Sequence, residues 1–171
     1  NIDLQHHLRF LSSQNLLLIK LLLAFDDVEG TEKELARRSG FKISEIRKNL
    51  KDLQEMNLVF SVQTETRSET VWKAKDKAFI ISHDVQQEAV QLFHQNTIDE
   101  AKSVLNQKEL TQKFQSIFFA LESEKFPELI NEMNTFLTKM KNKYGCDQLE
   151  DKNLIKLNLQ AYPVIKPVKK Y

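Results

Sequence analysis

Between Thr31 and Trp72 the spacing of apolar residues changes character, and this stretch restricts the fold more than any other. Thr31-Glu32-Lys33-Glu34 has the form of a capping box: a hydroxyl that accepts from the backbone N–H three residues on, and a Glu placed to reach back. The helix it opens carries Leu35 and Ala36 and stops at Ser39-Gly40, where glycine tolerates a left-handed terminus. After the turn Gly40-Phe41-Lys42, residues Ile43, Ile46, Leu50, Leu53 and Met56 recur at helical spacing and define a second helix over 43–57. From Leu58 the period drops to two, with Leu58, Phe60 and Val62 alternating with Val59, Ser61 and Gln63. Thr66-Arg67-Ser68-Glu69 forms a polar tip, and residues 70–75, containing Val71 and Trp72, return as a second strand.

Helix, glycine turn, helix and β-hairpin is the order of a winged helix-turn-helix. In that arrangement the second helix offers its N-terminal turns to the major groove of DNA. At about 100° per residue, Ser44, Arg47, Lys48 and Lys51 cluster opposite the apolar side of the helix over 43–57. Glu45 and Asp52 flank this face, and Glu55 lies near its far end. An arginine takes a guanine edge bidentately, and a lysine neutralises phosphate. Arg37, Arg38 and Lys42 lie just before the helix and are candidates for contacts to the DNA backbone. Arg67 is the candidate at the hairpin tip, although Glu65 and Glu69 flank it.

Charge narrows this reading. The formal net charge is only +1. Residues 1–83 hold 13 Lys+Arg and 12 Asp+Glu, and residues 84–171 hold 12 of each, so neither half is basic in bulk. The cations must act locally, and a homodimer would add affinity by coupling two modest half-sites.

Upstream, residues 3–25 read as one helix. Its run LLLIKLLLAF, residues 16–25, is apolar on nearly every side apart from Lys20. Ten residues fall short of the ~20 a membrane span needs, so a buried helix is expected and no membrane association. Downstream, residues 78–82 are a short apolar segment, and Ser82-His83-Asp84 reads as a boundary. This gives a winged-helix domain over 1–82 and a second domain over 83–171. The second domain reads α-β-α-β. A helix over 85–105 is followed by an apolar strand over 113–122. Ser123 then caps a helix that has Pro127 in its first turn and closes at Gly145. An alternating strand over 154–164 completes the order. Two strands make a marginal sheet, so completion by the hairpin or by a partner chain is expected. The fold class is α+β.

The chemistry-bearing residues are sparse. The single cysteine, Cys146, excludes a disulfide within the chain and a cysteine-based zinc site, and fits a reducing cytoplasm. His6 and His7 are adjacent, so they face different sides of a helix and cannot ligate as an i, i+4 pair. His83 and His94 stand alone, and Asp26, Asp27 and Glu29 read as a solvated loop. The three glycines are scattered, which excludes a glycine-rich phosphate loop. With no catalytic constellation to assemble, an enzyme, a metal site and a cofactor are not expected.

Two stretches carry a family resemblance. Glu34 to Phe41 (ELARRSGF), Ile43 to Lys48 (ISEIRK) and Leu53 to Val59 (LQEMNLV) resemble the pattern LARRLG, SxxEVRKAL and LxxLGLV of bacterial winged-helix regulators. Ser123 to Glu128 (SEKFPE) and Leu157 to Pro163 (LNLQAYP) resemble a group of such regulators whose C-terminal domain reads SKEKFPE and then YQLNIQLFP. Ala161-Tyr162 stands where that group has Leu-Phe, and the segment leading into Val85 is shorter. The resemblance implies DNA-linked regulation and a further helix-turn-helix segment upstream; it brings no ligand or target. The expected function is a cytoplasmic, homodimeric transcription regulator bound to double-stranded DNA. The alternatives are a protein-interaction module on a winged-helix scaffold, or a small-molecule sensor acting through the C-terminal half.

Overall fold

The apolar start of the chain folds as two helices where one was expected. In the computed structural model, which describes residues 2–63, 69–76, 87–107 and 111–165, α1 spans Ile2–Ser12 and α2 spans Gln14–Leu22. Ser13 breaks them: its backbone is extended and its hydroxyl accepts from the Leu16 N–H at 3.3 Å, an N-cap that starts α2 afresh. Leu16, Ile19 and Leu22 are buried as the apolar run demanded. Lys20 is buried with them, and its Nζ donates to the Asp76 carbonyl at 3.0 Å. Burial lowers the Lys20 pKa, and the nearby Asp76 charge opposes that shift.

Helix α3, Glu32–Ser39, begins at the Thr31 cap, whose Oγ1 accepts from the Glu34 N–H at 3.2 Å. The box is only half formed. The Thr31 N–H donates to the Glu29 carbonyl instead, and the Glu34 carboxylate is drawn to arginines on its own helix. Gly40 closes α3 at φ 76°, the left-handed conformation that favours glycine. Helix α4, Ile43–Glu55, ends with Asn57 at φ 62°. There the Leu58 N–H bonds the Leu53 carbonyl and the Asn57 N–H bonds the Gln54 carbonyl, a Schellman ending.

Strand β1, Val59–Gln63, pairs antiparallel with β2, Thr70–Ala74, in the register Val59↔Ala74 to Gln63↔Thr70. Val59 is buried while Phe60 is 40% exposed, so the inward face is set from Val59 and not from Phe60. The Trp72 N–H also donates to the Gly30 carbonyl at 2.8 Å, which ties the hairpin to the chain entering α3. A Cβ at residue 30 would lie 1.8 Å from the Trp72 carbonyl oxygen, so only glycine permits this approach. Leu35, Ile46, Leu50 and Leu53 are fully buried beneath the hairpin and α2. Each contributes about 1.5–3 kcal/mol of burial.

Helix α5, Gln87–Leu105, packs on α1 and places Ala89 in the same core. The Asn96 side chain donates to the Ser12 carbonyl at 2.9 Å. The chain accordingly divides into two compact units: Asn1–Lys113 with Asp147–Glu150, and Phe114–Cys146 with Asp151–Tyr171. The division falls after α5, not before it. The boundary expected at residues 82–84 lies outside the described residues.

In the second unit a 3-10 turn at Ser123–Lys125 leads into α6, Phe126–Tyr144, with Pro127 in the first turn. Phe126, Leu129, Ile130, Met133, Leu137 and Met140 are half-buried along one stripe, as their spacing requires. The two strands expected over 113–122 and 154–164 do not form: among the described residues the sheet is β1 and β2 alone. A strand needs a neighbouring edge for its peptide groups, and alternation in the sequence supplies the pattern without the partner. The α+β class rests on the helices and this hairpin.

Candidate nucleic-acid interface

Because α4 buries Ile46, Leu50 and Leu53, its other side must face solvent. Ser44, Lys48 and Lys51 lie there, exposed, with no hydrogen bond or ion pair among the described residues. The Lys42 side chain is exposed just before them, while its backbone N–H donates to Glu45 Oε2 at 3.1 Å. Ile43, which its spacing assigned to the core, is 43% exposed at the helix start. Its position in the first turn, before the helix is fully covered, is the signal that sequence reasoning passed over.

The arginines are placed differently. Arg47 is exposed but makes a bidentate pair with Glu32, at 3.1 Å from Nε and 2.8 Å from Nη2. The Glu32 hydrogen bonds raise the Arg47 pKa further above its ordinary value. Arg37 makes a bidentate pair with Glu34, both contacts at 2.8 Å. The Arg38 side chain is only 12% exposed and binds Glu34 at 2.5 Å and Glu150 at 2.9 Å. That burial makes Arg38 a link within the first unit and leaves little of its side chain accessible. Arg37 and then Arg38 hold the Glu34 carboxyl down to about 2. Arg67 lies outside the described residues; the neighbouring Glu69 pairs with Lys33 of α3.

The acidic flank of α4 is also altered by the fold. Arg9 of α1 reaches Asp52 at 2.6 Å and Glu55 at 3.9 Å. These carboxylates therefore oppose the lysine face less than their sequence positions implied. The loop before α3 is not simply solvated, as expected. Asp27 accepts the Leu149 N–H at 2.8 Å and the Glu150 N–H at 2.5 Å, and the Asp26 N–H donates to the Asp147 carbonyl at 2.9 Å. The Leu149 N–H is the main cause that lowers the Asp27 pKa. This loop anchors residues 147–150 to the first unit.

Among the described residues no group of three His, Cys, Asp or Glu side chains is placed to hold a metal ion. No helix among them is long and apolar enough to cross a membrane.

No curated protein matches the chain by sequence. Among solved structures, a mutant of Lactococcus lactis ZitR in apo form is 21% identical, with 75% of this chain and 82% of that chain covered and a TM-score of 0.34. The family described as a domain of unknown function, DUF4423, matches residues 2–164. The chain therefore belongs to the DUF4423 family.

Proposed function

We propose that this chain is a DNA-binding transcription regulator of the bacterial cytoplasm, in which α4 of each protomer of a homodimer reads one half-site. The observation that carries the reading is the unengaged face of Ser44, Lys48 and Lys51 on the helix after the Gly40 turn. Arg9 engages the acidic flank of the same helix. Lys48 and Lys51 neutralise phosphates, and Lys42 and Arg37 support the backbone contact. Arg47 exchanges Glu32 for a guanine edge, and the Ile43 side chain offers apolar contact to a thymine methyl. Arg67, from its place in the sequence between the two strands, is assigned a contact to the adjacent groove. The resemblance of Ser123 to Glu128 and Leu157 to Pro163 to one group of winged-helix regulators supports the same reading.

The test is duplex binding measured against salt. The slope of log K with log salt should fall by about 0.9 for each of Lys48→Ala and Lys51→Ala. Absence of binding at low salt, or a double variant with unchanged affinity, refutes the assignment. One observation favours a second reading, a protein-interaction module: Arg37, Arg38 and Arg47 are each already held by carboxylates. A chain that elutes from heparin at low salt and binds no duplex would belong to that class.

A further inference from the structure

The second unit has no buried side chain among its described residues. Outside the half-buried stripe of α6, many of its apolar residues are exposed. Ile117, Phe118 and Phe119 follow one another in sequence and are 73%, 84% and 57% exposed. Ile155, Tyr162 and Ile165 are 76%, 72% and 83% exposed. Three consecutive exposed side chains point to more than one side of the backbone, so a single covering layer from the same unit would not shelter them. Taking ~150–200 Å² per large apolar side chain, the two segments leave roughly 1,200 Å² of apolar surface uncovered. A stable interface needs about 800 Å² from each partner.

We propose that residues 114–121 and 154–165 form a self-association surface covered by a second copy of this chain, with the two segments pairing as strands across the interface. Charge points to that occupant. Residues 114–121 contain no charged side chain, and residues 154–165 contain only Lys156. A polyanion finds little here to bind, whereas an equally apolar surface fits, and a second copy brings one through a two-fold axis. The backbone argues the same way. Ile155, Leu157, Leu159 and Ala161 alternate with Lys156, Asn158 and Gln160, a strand pattern with no ladder partner among the described residues. Strand addition between copies satisfies those peptide groups. The proposal gives the homodimer of the preceding reading its surface, and it does not depend on DNA binding.

The experiment is sedimentation equilibrium of the whole chain from about 1 to 100 μM, a range that resolves a micromolar or tighter dimer. Phe118→Asp with Ile155→Asp is run beside it, together with backbone hydrogen exchange at both ends of the range. The wild type should be a dimer, the double variant should dissociate at least ~100-fold more readily, and amides of 114–121 and 154–165 should be better protected in the wild type than in the double variant. Unchanged Trp72 emission shows that the first unit remains folded. A wild-type monomer throughout the range overturns the proposal. So does a dimer that the substitutions leave intact, or one in which these amides exchange as fast as they do in the dissociated double variant. A dimer that fails to bind duplex leaves this surface standing and removes the DNA reading; a monomer that binds duplex does the reverse.

Discussion

Gly30→Ala should be among the most damaging single-methyl additions in this chain. The added Cβ would stand 1.8 Å from the Trp72 carbonyl oxygen and 2.8 Å from its carbonyl carbon. Both are backbone atoms, so no side-chain rotation relieves the contact. Ordinary carbon contacts begin near ~3.5 Å, so the hairpin and the chain entering α3 must separate by more than about 1.5 Å. The Trp72 N–H to Gly30 O bond, 2.8 Å long, would then be broken. Losing that bond and stranding its groups costs about 1–3 kcal/mol, and shifting Trp72 off its packing adds about 1–2 kcal/mol. A loss of about 2–5 kcal/mol is therefore expected, a large share of the ~5–15 kcal/mol available to an ordinary domain. Urea unfolding followed by tryptophan emission is the natural assay, because Trp72 is the single tryptophan of the chain. Its indole Nε1 is buried without a hydrogen-bond partner among the described residues, so displacement should also red-shift the folded-state emission. A midpoint within experimental error of wild type, with unchanged emission, would refute the close approach of Gly30 to β2.

Four further outcomes follow from the ion pairs, the Asp27 hydrogen bonds and the Ser13 cap. Glu32→Gln frees Arg47, and because an exposed ion pair is weak, duplex affinity should rise only about a few-fold; fluorescence anisotropy showing equal or weaker binding would count against Arg47 as a base-reading residue. Glu34 has a folded pKa of about 2 against an ordinary 4.5, so its stabilisation is complete above 4.5 and is lost as pH falls through about 2. Discounted for solvent, the effect is about 1 kcal/mol, and Glu34→Gln should flatten the acid limb of stability against pH measured by circular dichroism. The depressed Asp27 carboxyl acts in the same direction, so Asp27→Asn should flatten that limb as well. Ser13→Ala removes the cap that separates α1 from α2 and should cost about 1 kcal/mol in chemical denaturation; no loss would mean that the break does not depend on the hydroxyl.

Local chemistry determined much of the first unit. Thr31 as cap, Gly40 as left-handed terminus and the spacing of Ile46, Leu50 and Leu53 act over a few residues, and the structure follows them. The same periodicity was enough to put Ser44, Lys48 and Lys51 on the exposed face of α4. Electrostatic partners could not be read this way. Arg47 finds Glu32 at fifteen residues' separation, and Arg38 finds Glu150 at 112. Arg9 of α1 finds Asp52 of α4, a partner far away in sequence. Each pairing changes which charges remain available to a ligand, and each depends on how the helices pack. Short competing caps were similarly decided in three dimensions, as at Ser13, where a hydroxyl divides an otherwise continuous helical pattern. The alternation over 154–164 marks the widest gap between pattern and structure. A helix satisfies its own peptide groups, so its sequence suffices to place it; a strand requires an edge from elsewhere, and neither segment of the second unit is given one among the described residues.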